Sequence, residues 1–325
     1  MVPTYLSLWA SGELRQRVRK ARGLLRACRL CPRRCGVNRI EGQKGFCRAG
    51  FFLQVSSYNV HHGEEPVISG VCGSGTIFLT HCNLRCVFCQ NYPISQLGVG
   101  REKSIEEVGG MMLDLQARGC HNVNWVTPTH FVPQMMAALE WAVERGFRLP
   151  LVYNTNGYDS VETLELLDGI VDVYLPDMKY GDEGTARTYS QAPDYPVMNG
   201  KAIREMHRQV GGKECTENGL LQRGMIIRHL ILPHRLAGTD RLARFIAENL
   251  SGSCPVSLMT QFFPAYRAKE FPELDRRITP EEFEEAMGML DRYGLETGWV
   301  QEMEESYEGE ALSLREAVLQ LEKGG

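Results

Sequence analysis

At 325 residues the chain is long enough for one large barrel or two smaller domains, and its 43% apolar content suffices for a globular core. No apolar run approaches the roughly eighteen residues of a membrane span, and the N-terminal basic residues follow the apolar ones, the reverse of a secretory signal. Eleven cysteines in such a chain point to a reducing cytoplasm and to metal binding rather than disulfides, and the net charge of −4 is lopsided: residues 1–50 hold twelve Lys/Arg and two acids, residues 270–310 fourteen acids and three arginines. A basic head invites an anionic partner such as RNA or an acidic protein, but such runs are ordinarily neutralised within the fold or face solvent.

In chain order, residues 13–27 read as a basic amphipathic helix with Leu14, Val18, Leu24 and Leu25 on its apolar face. Residues 28–50 form a Cys/Gly/Arg-rich knuckle. There Cys28, Cys31, Cys35 and Cys47 make a full tetrahedral set for zinc or a complete set for a second iron–sulfur cluster, and spacing does not separate the two. Residues 51–72 alternate as a hairpin around His61-His62-Gly63-Glu64-Glu65-Pro66, a weak motif for metal binding or proton transfer and equally a polar turn. From residue 75 short apolar runs at 75–80, 122–127, 150–155, 171–176, 225–232 and 255–261 alternate with helical segments at 104–118, 133–145, 161–168, 239–249 and 280–293, capped at Ser104, Ser160, Thr239 and Thr279. The pattern predicts an α/β fold, a partial (β/α)6 barrel with a small N-terminal cysteine-rich extension. Its expected divisions are residues 1–72, 73–302 and 303–325, the last a C-terminal helix. Residues 178–224 exceed a simple connection and predict an inserted helix and loop, a form often taken by lids. Cys72, Cys120, Cys215 and Cys254 stand alone and read as packing residues, Cys72 being close in sequence to the first barrel strand.

After that first strand comes HCNLRCVFCQN, with Cys82, Cys86 and Cys89 spaced x3 and x2. Three thiolates can hold three corners of a cubic iron–sulfur cluster and leave the fourth iron open to a small molecule, the hallmark of a catalytic site. The alternative is zinc, with His81 as fourth ligand. In a parallel barrel the chemistry lies at the C-terminal ends of the strands. Those ends carry Thr127-Pro128-Thr129-His130, Asn154-Thr155-Asn156-Gly157, Asp177-Met178-Lys179, and Arg228 with His229. Singly, each is also a common turn or helix cap. Trp125, Tyr153 and Phe263 either line the mouth, where a peptide loop fits, or belong to the core.

The cluster loop, together with CRLCPRRCGVNRIEGQKGFC, HHGEEPVISG, NTNG, LPDMK and IRHLILP, resembles the radical S-adenosylmethionine superfamily over residues 28–265. Within it the chain resembles homologues of pyruvate formate-lyase activating enzyme that carry an extra N-terminal cysteine segment. The resemblance implies a [4Fe-4S] cluster on Cys82, Cys86 and Cys89. It also implies reductive cleavage of S-adenosylmethionine to a 5′-deoxyadenosyl radical, which abstracts hydrogen from a substrate. Phe88 matches the aromatic whose backbone lies near the adenine. Thr127 and Thr129 occupy the place of a Gly-Gly-Glu-Pro segment that holds the methionine amino group. Asn154 replaces the Asp of DTNG and weakens a cation site, Asn156 keeps the second Asn position, and Asp177 keeps a second carboxylate. Lys179 matches a lysine on the cofactor carboxylate and Arg228 an arginine of the same region, a fork suited to carboxylates. No ferredoxin-like insert follows Cys89. The resemblance implies a cytoplasmic oxidoreductase without membrane association, served by a flavodoxin or ferredoxin. Its substrate would be a glycine of a partner glycyl radical enzyme, or else another peptide, an RNA or a small molecule. A reading of another class, a zinc- or cluster-bearing RNA-binding protein, takes the basic head as its footprint and leaves the open three-cysteine loop unexplained.

Overall fold

The computed structural model describes residues 2–215, 218–250 and 254–300. Its strands are β1 (Leu53–His61), β2 (Ser74–Leu79), β3 (Arg101–Lys103), β4 (Val123–Val126), β5 (Leu151–Thr155), β6 (Val173–Pro176), β7 (Lys213–Cys215), β8 (Leu221–Met225), β9 (Ile227–Leu230), β10 (Val256–Met259) and β11 (Gly298–Val300). One sheet runs β3-β1-β2-β4-β5-β6-β8-β7 and a second β11-β10-β9. From β2 through β4, β5 and β6 to β8 the pairing is parallel, as it is in β9-β10-β11. Only Ile226 separates β8 from β9, and a parallel bridge joins Asp177 to Arg228, so one bent segment carries the curve from sheet to sheet. The curve does not close, since β1 and β3 lie antiparallel at one end and β11 ends the other. This is the partial barrel expected from the alternating pattern.

The strands are continuous apolar runs because both faces are covered. β4, β5 and β6 are buried along almost all their length, and helices Ile105–Ala117, Val132–Val143, Val161–Leu167 and Tyr195–Val210 supply the outer layer. Ser104 and Thr279 form the capping boxes their sequences predict. Two other expected caps differ. Thr239 is the first helical residue behind a left-handed Gly238, and the Ser160 hydroxyl donates to the Leu30 carbonyl (3.2 Å), tying the knuckle to the barrel. The segment 178–224 forms two helices, Glu183–Ser190 and Tyr195–Val210, packed against the barrel. The C-terminal helix expected within 303–325 lies outside the described residues.

The hairpin expected inside 51–72 is a different object. β1 alone is a strand and pairs antiparallel with β2, while Pro66–Ser69 is a helical turn opened by a proline. The turn aims Glu64 and Glu65 into the N-terminal end of the barrel, away from solvent. Arg228 donates there from Nε to Glu65 Oε1 and from Nη2 to Glu65 Oε2, both at 2.8 Å, and also meets Glu64. Asn124 Nδ2 adds a bond to Glu64 at 3.0 Å. The glutamates of HHGEEP are therefore partners of an ion triad that plugs the barrel, and neither a metal site nor an exposed turn.

The basic head mostly faces solvent, with a few of its arginines tied into the fold. Arg39 is fully buried and donates to the Gly50 and His130 carbonyls; Arg15 pairs with Glu140 and Glu144, and Arg34 with Glu162. The acids of 270–300 pair instead with Arg235, Arg267 and Arg276 nearby.

Candidate active site at the open barrel mouth

β2 ends at Leu79 and delivers Cys82, Cys86 and Cys89 on a loop held from several sides. Val87 N–H donates to the Tyr189 carbonyl (2.8 Å), Arg267 N–H to the Val87 carbonyl (2.8 Å), and Gln90 Nε2 to the Gln261 carbonyl (2.7 Å). The inserted helix is thus a clamp on this loop. Each thiol meets one polar side chain from a different element. Asn156 Nδ2 donates to Cys82 Sγ (3.2 Å), the Ser190 hydroxyl to Cys86 Sγ (2.9 Å), and the Ser95 hydroxyl lies 3.1 Å from Cys89 Sγ. Among the described residues no three His, Cys, Asp or Glu side chains converge as a single metal ion requires. His81 Nε2 lies 2.5 Å from Gln54 Oε1. Burial, with the neighbouring Cys86 thiol, pushes Cys82 up to about 12 and Cys89 up to about 11. Such a pocket favours three thiolates only when positive charge compensates them, as irons do.

Lys179 supplies a cation beside them. Burial alone would lower its pKa, yet Asp177, with Nζ to Oδ2 at 2.5 Å, and the thiols of Cys86 and Cys89 raise it, so the ammonium stays charged. Asp177 also anchors the turn after β5. Its carbonyl accepts from the Tyr195 hydroxyl (3.0 Å) and Asn199 Nδ2 (2.9 Å). Gly157 in NTNG has φ +75°, and a Cβ there would lie 2.2 Å from both Asn199 Nδ2 and the Asp177 carbonyl. Gly157→Ala is expected to destabilise the protein by about 2–4 kcal/mol, read as a lowered urea midpoint.

The remaining expected site residues divide. Phe88 is buried, edge-on to Phe262 at 5.8 Å, beneath the cluster loop. Thr127 sits at φ +56°, strained for a β-branched residue, with its N–H on the Asn154 carbonyl (2.8 Å). Asn154 lies on β5, in register with Val126 and Leu175. Thr129 is fully buried and its hydroxyl donates to Asp159 (2.8 Å), which fixes its side chain among the barrel's interior polar groups. Arg228 likewise points to Glu64 and Glu65, so a carboxylate fork at the mouth is not its geometry. Trp125 and Tyr153 are core residues, fully buried, and line no peptide groove. Sequence reasoning missed Asp159, which accepts from Thr129, Tyr153 and Thr155 and whose pKa burial raises despite those bonds. Cys120 and Cys254 are buried, as packing residues are; Cys72 is exposed at the far end of β2, and the side chain of Cys215 lies outside the described residues.

Residues 76–208 match the Radical SAM superfamily. The chain is 34% identical over 294 residues to Uncharacterized protein MJ0674 of Methanocaldococcus jannaschii, covering 86% of this chain and 79% of that one. The chain belongs to the radical SAM superfamily. Solved structures similar to it include a radical SAM methyltransferase from Sphaerobacter thermophilus (18% identity, 70% of this chain and 66% of that one, TM-score 0.49). Another is a domain of pyruvate-formate lyase-activating enzyme from Bacteroides vulgatus (15% identity, 50% and 85%, TM-score 0.34). As a radical SAM protein it is an enzyme of a superfamily that uses a [4Fe-4S] cluster and S-adenosylmethionine. Among the described residues no helix is long and apolar enough to cross a membrane.

Proposed function

We propose that Cys82, Cys86 and Cys89 hold a [4Fe-4S] cluster at which S-adenosylmethionine is reductively cleaved, and that the substrate is a backbone glycine of a partner protein. The observation that carries the first half is the matching of three thiols by three separate polar donors beside a buried ammonium. That donor set suits a negatively charged cluster with thiolates on separate irons. When bound, the cluster supplies one electron to the sulfonium and the open iron that chelates the methionine end. The chain's own residues do the rest. Asn156, Ser190 and Ser95 orient the thiolates and offset their charge. Lys179, steered by Asp177, presents a fixed cation toward a carboxylate, and the Tyr189 and Arg267 backbone contacts hold the loop in one shape.

What supports a glycine substrate is the resemblance of NTNG, LPDMK and IRHLILP to segments of the activating branch, with Asn154 in place of its Asp. Tyr92 and Tyr266 stack at 5.0 Å, with Tyr266 exposed on a cavity that Cys82 also lines, an aromatic rim suited to a peptide. A flavodoxin or ferredoxin would supply the electron.

The test is anaerobic reconstitution followed by electron paramagnetic resonance of the reduced protein, with and without S-adenosylmethionine. A reduced-cluster signal that changes on adding the cofactor, with 5′-deoxyadenosine formed, is expected. A protein that holds only zinc, or a signal indifferent to the cofactor, would sink this reading.

A further inference from the structure

Cys28, Cys31, Cys35 and Cys47 line one small cavity of about 350 Å³ together with Arg33 and His130. The cavity is prepared for thiolates. Backbone N–H groups of Arg33, Phe46 and Ala49 reach Cys31, Cys35 and Cys47, the Phe46 contact at 3.4 Å. Gly45 forms part of the wall, and a Cβ there would lie 2.8 Å from Cys35 Sγ. As at the barrel mouth, among the described residues no three such donors converge on one point. Zinc requires that convergence, whereas a cluster spreads its thiolates over separate irons.

His130 adds an observation that spacing did not reveal. It is 1% exposed, and burial lowers its pKa to about 3, so the ring is neutral. Its Nε2 stands 2.8 Å from the Thr80 carbonyl, which only an N–H can approach, so Nδ1 carries the lone pair. That Nδ1 is buried without a hydrogen-bond partner, on a residue lining the four-cysteine cavity. An imidazole whose second nitrogen is fixed on a carbonyl is the usual posture of a group that faces a metal centre.

The cavity also abuts the first site. The Thr80 carbonyl that holds His130 lies two residues before Cys82, and Arg33 Nε donates to the carbonyl of Asn83, one residue after it (3.1 Å). Cys47 and Cys82 line a common polar cavity of about 510 Å³. On the outer side Cys35 is exposed, and the same segment carries exposed Lys44 and Arg48, a charge complementary to an acidic protein.

We propose that these four cysteines hold a second iron–sulfur cluster, faced by His130 Nδ1, which relays single electrons from an acidic protein carrier to the cluster at Cys82, Cys86 and Cys89. The relay rests on the radical SAM reading of that triad. One electron from a low-potential carrier of the flavodoxin or ferredoxin class reduces the second cluster. The same electron passes to the first, the second returns to its oxidised state, and no bond forms or breaks.

The experiment uses three full-length variants, each checked for native circular dichroism. The triple variant Cys82→Ala/Cys86→Ala/Cys89→Ala, reconstituted anaerobically, is expected to keep about half the wild-type iron and sulfide. Its reduced-cluster spectrum should be insensitive to S-adenosylmethionine, and adding His130→Ala should shift its g-values. The variant Cys28→Ala/Cys31→Ala is expected to lose that half and keep the cofactor-responsive signal. It should lose reduction by flavodoxin while still accepting electrons from dithionite. Zinc in place of iron in the triple variant overturns the second cluster. Undiminished reduction by flavodoxin in the double variant overturns the relay, and an unchanged spectrum with His130→Ala removes the imidazole. The triple and double variants each decide their part if the other misfolds. A wild type lacking any cofactor-responsive signal would fault the triad reading alone, since the triple variant reads the second cluster by itself.

Discussion

Cys86→Ala is expected to bring 5′-deoxyadenosine formation down to that of a protein-free control while leaving the fold intact. Cys86 lies in a small cluster with Leu84, Phe88 and Tyr180, and alanine there leaves only a sulfur-sized void. The cost in stability should be about 1 kcal/mol, within what the domain tolerates. Chemistry does not tolerate it, because two thiolates leave a second iron open and the cluster unstable. The comparison that isolates the mechanism is with the donors around the thiols. Asn156→Ala and Ser190→Ala remove the donors to Cys82 and Cys86, along with the bonds of Asn156 to Asn83 and Tyr158 and of Ser190 to Tyr180, and should lower cluster retention or turnover by about 10–100-fold. Cys120→Ala, on a buried thiol remote from the mouth, should change neither. The measurements are iron content and 5′-deoxyadenosine by chromatography under dithionite. Wild-type turnover in Cys86→Ala would remove the triad from the reaction.

The barrel was largely legible because parallel strands covered on both faces leave continuous apolar runs, and helices with capping boxes announce their starts. Each expected barrel strand is present within two or three residues of its expected ends, as Val123–Val126 and Leu151–Thr155 illustrate. Short runs were less secure. Val67 and Ile68 look like strand residues, but Pro66 opens a helical turn, and two apolar residues carry no period. Tyr5–Ala10 is a helix with no side-chain cap to announce it, held by Tyr5, whose hydroxyl reaches the Leu149 carbonyl (2.7 Å).

In the site, the three thiols stand out by spacing and Lys179 by the resemblance, but the direction of a side chain depends on partners far along the chain. Asn156 meets Cys82 across 74 residues, and Thr129 meets Asp159 across 30. His130 ended a motif read for its threonines. Its importance arises from a carbonyl on one side and a cysteine cavity on the other, neither of which a local motif encodes.

Arg228 gives the second large effect, and it separates the plug from the cofactor reading. Arg228→Ala leaves Glu64 and Glu65, with side chains 7% and 5% exposed, buried without their counter-ion. Breaking such a pair from one side is expected to cost about 3–5 kcal/mol at pH 7, whereas Glu64→Leu/Glu65→Leu/Arg228→Met should recover most of it. The pH dependence should invert. In the wild type burial by itself would raise the Glu65 pKa, but Arg228 outweighs it and holds the value below the ordinary 4.5. That contribution is complete above the unfolded pKa and disappears as pH falls through the folded one. In Arg228→Ala the same burial acts unopposed and lifts the Glu65 carboxyl, so that stability is lost as pH rises through the lifted value. Denaturant midpoints measured from pH 4 to pH 8 should therefore rise for the wild type at the acid end and fall for the variant toward neutrality. An Arg228 that instead grips the cofactor carboxylate would give an unaltered midpoint and a raised KM for S-adenosylmethionine. With Arg228 locked between two buried glutamates, loss of stability is the expected result, and Lys179→Met is the substitution expected to raise that KM.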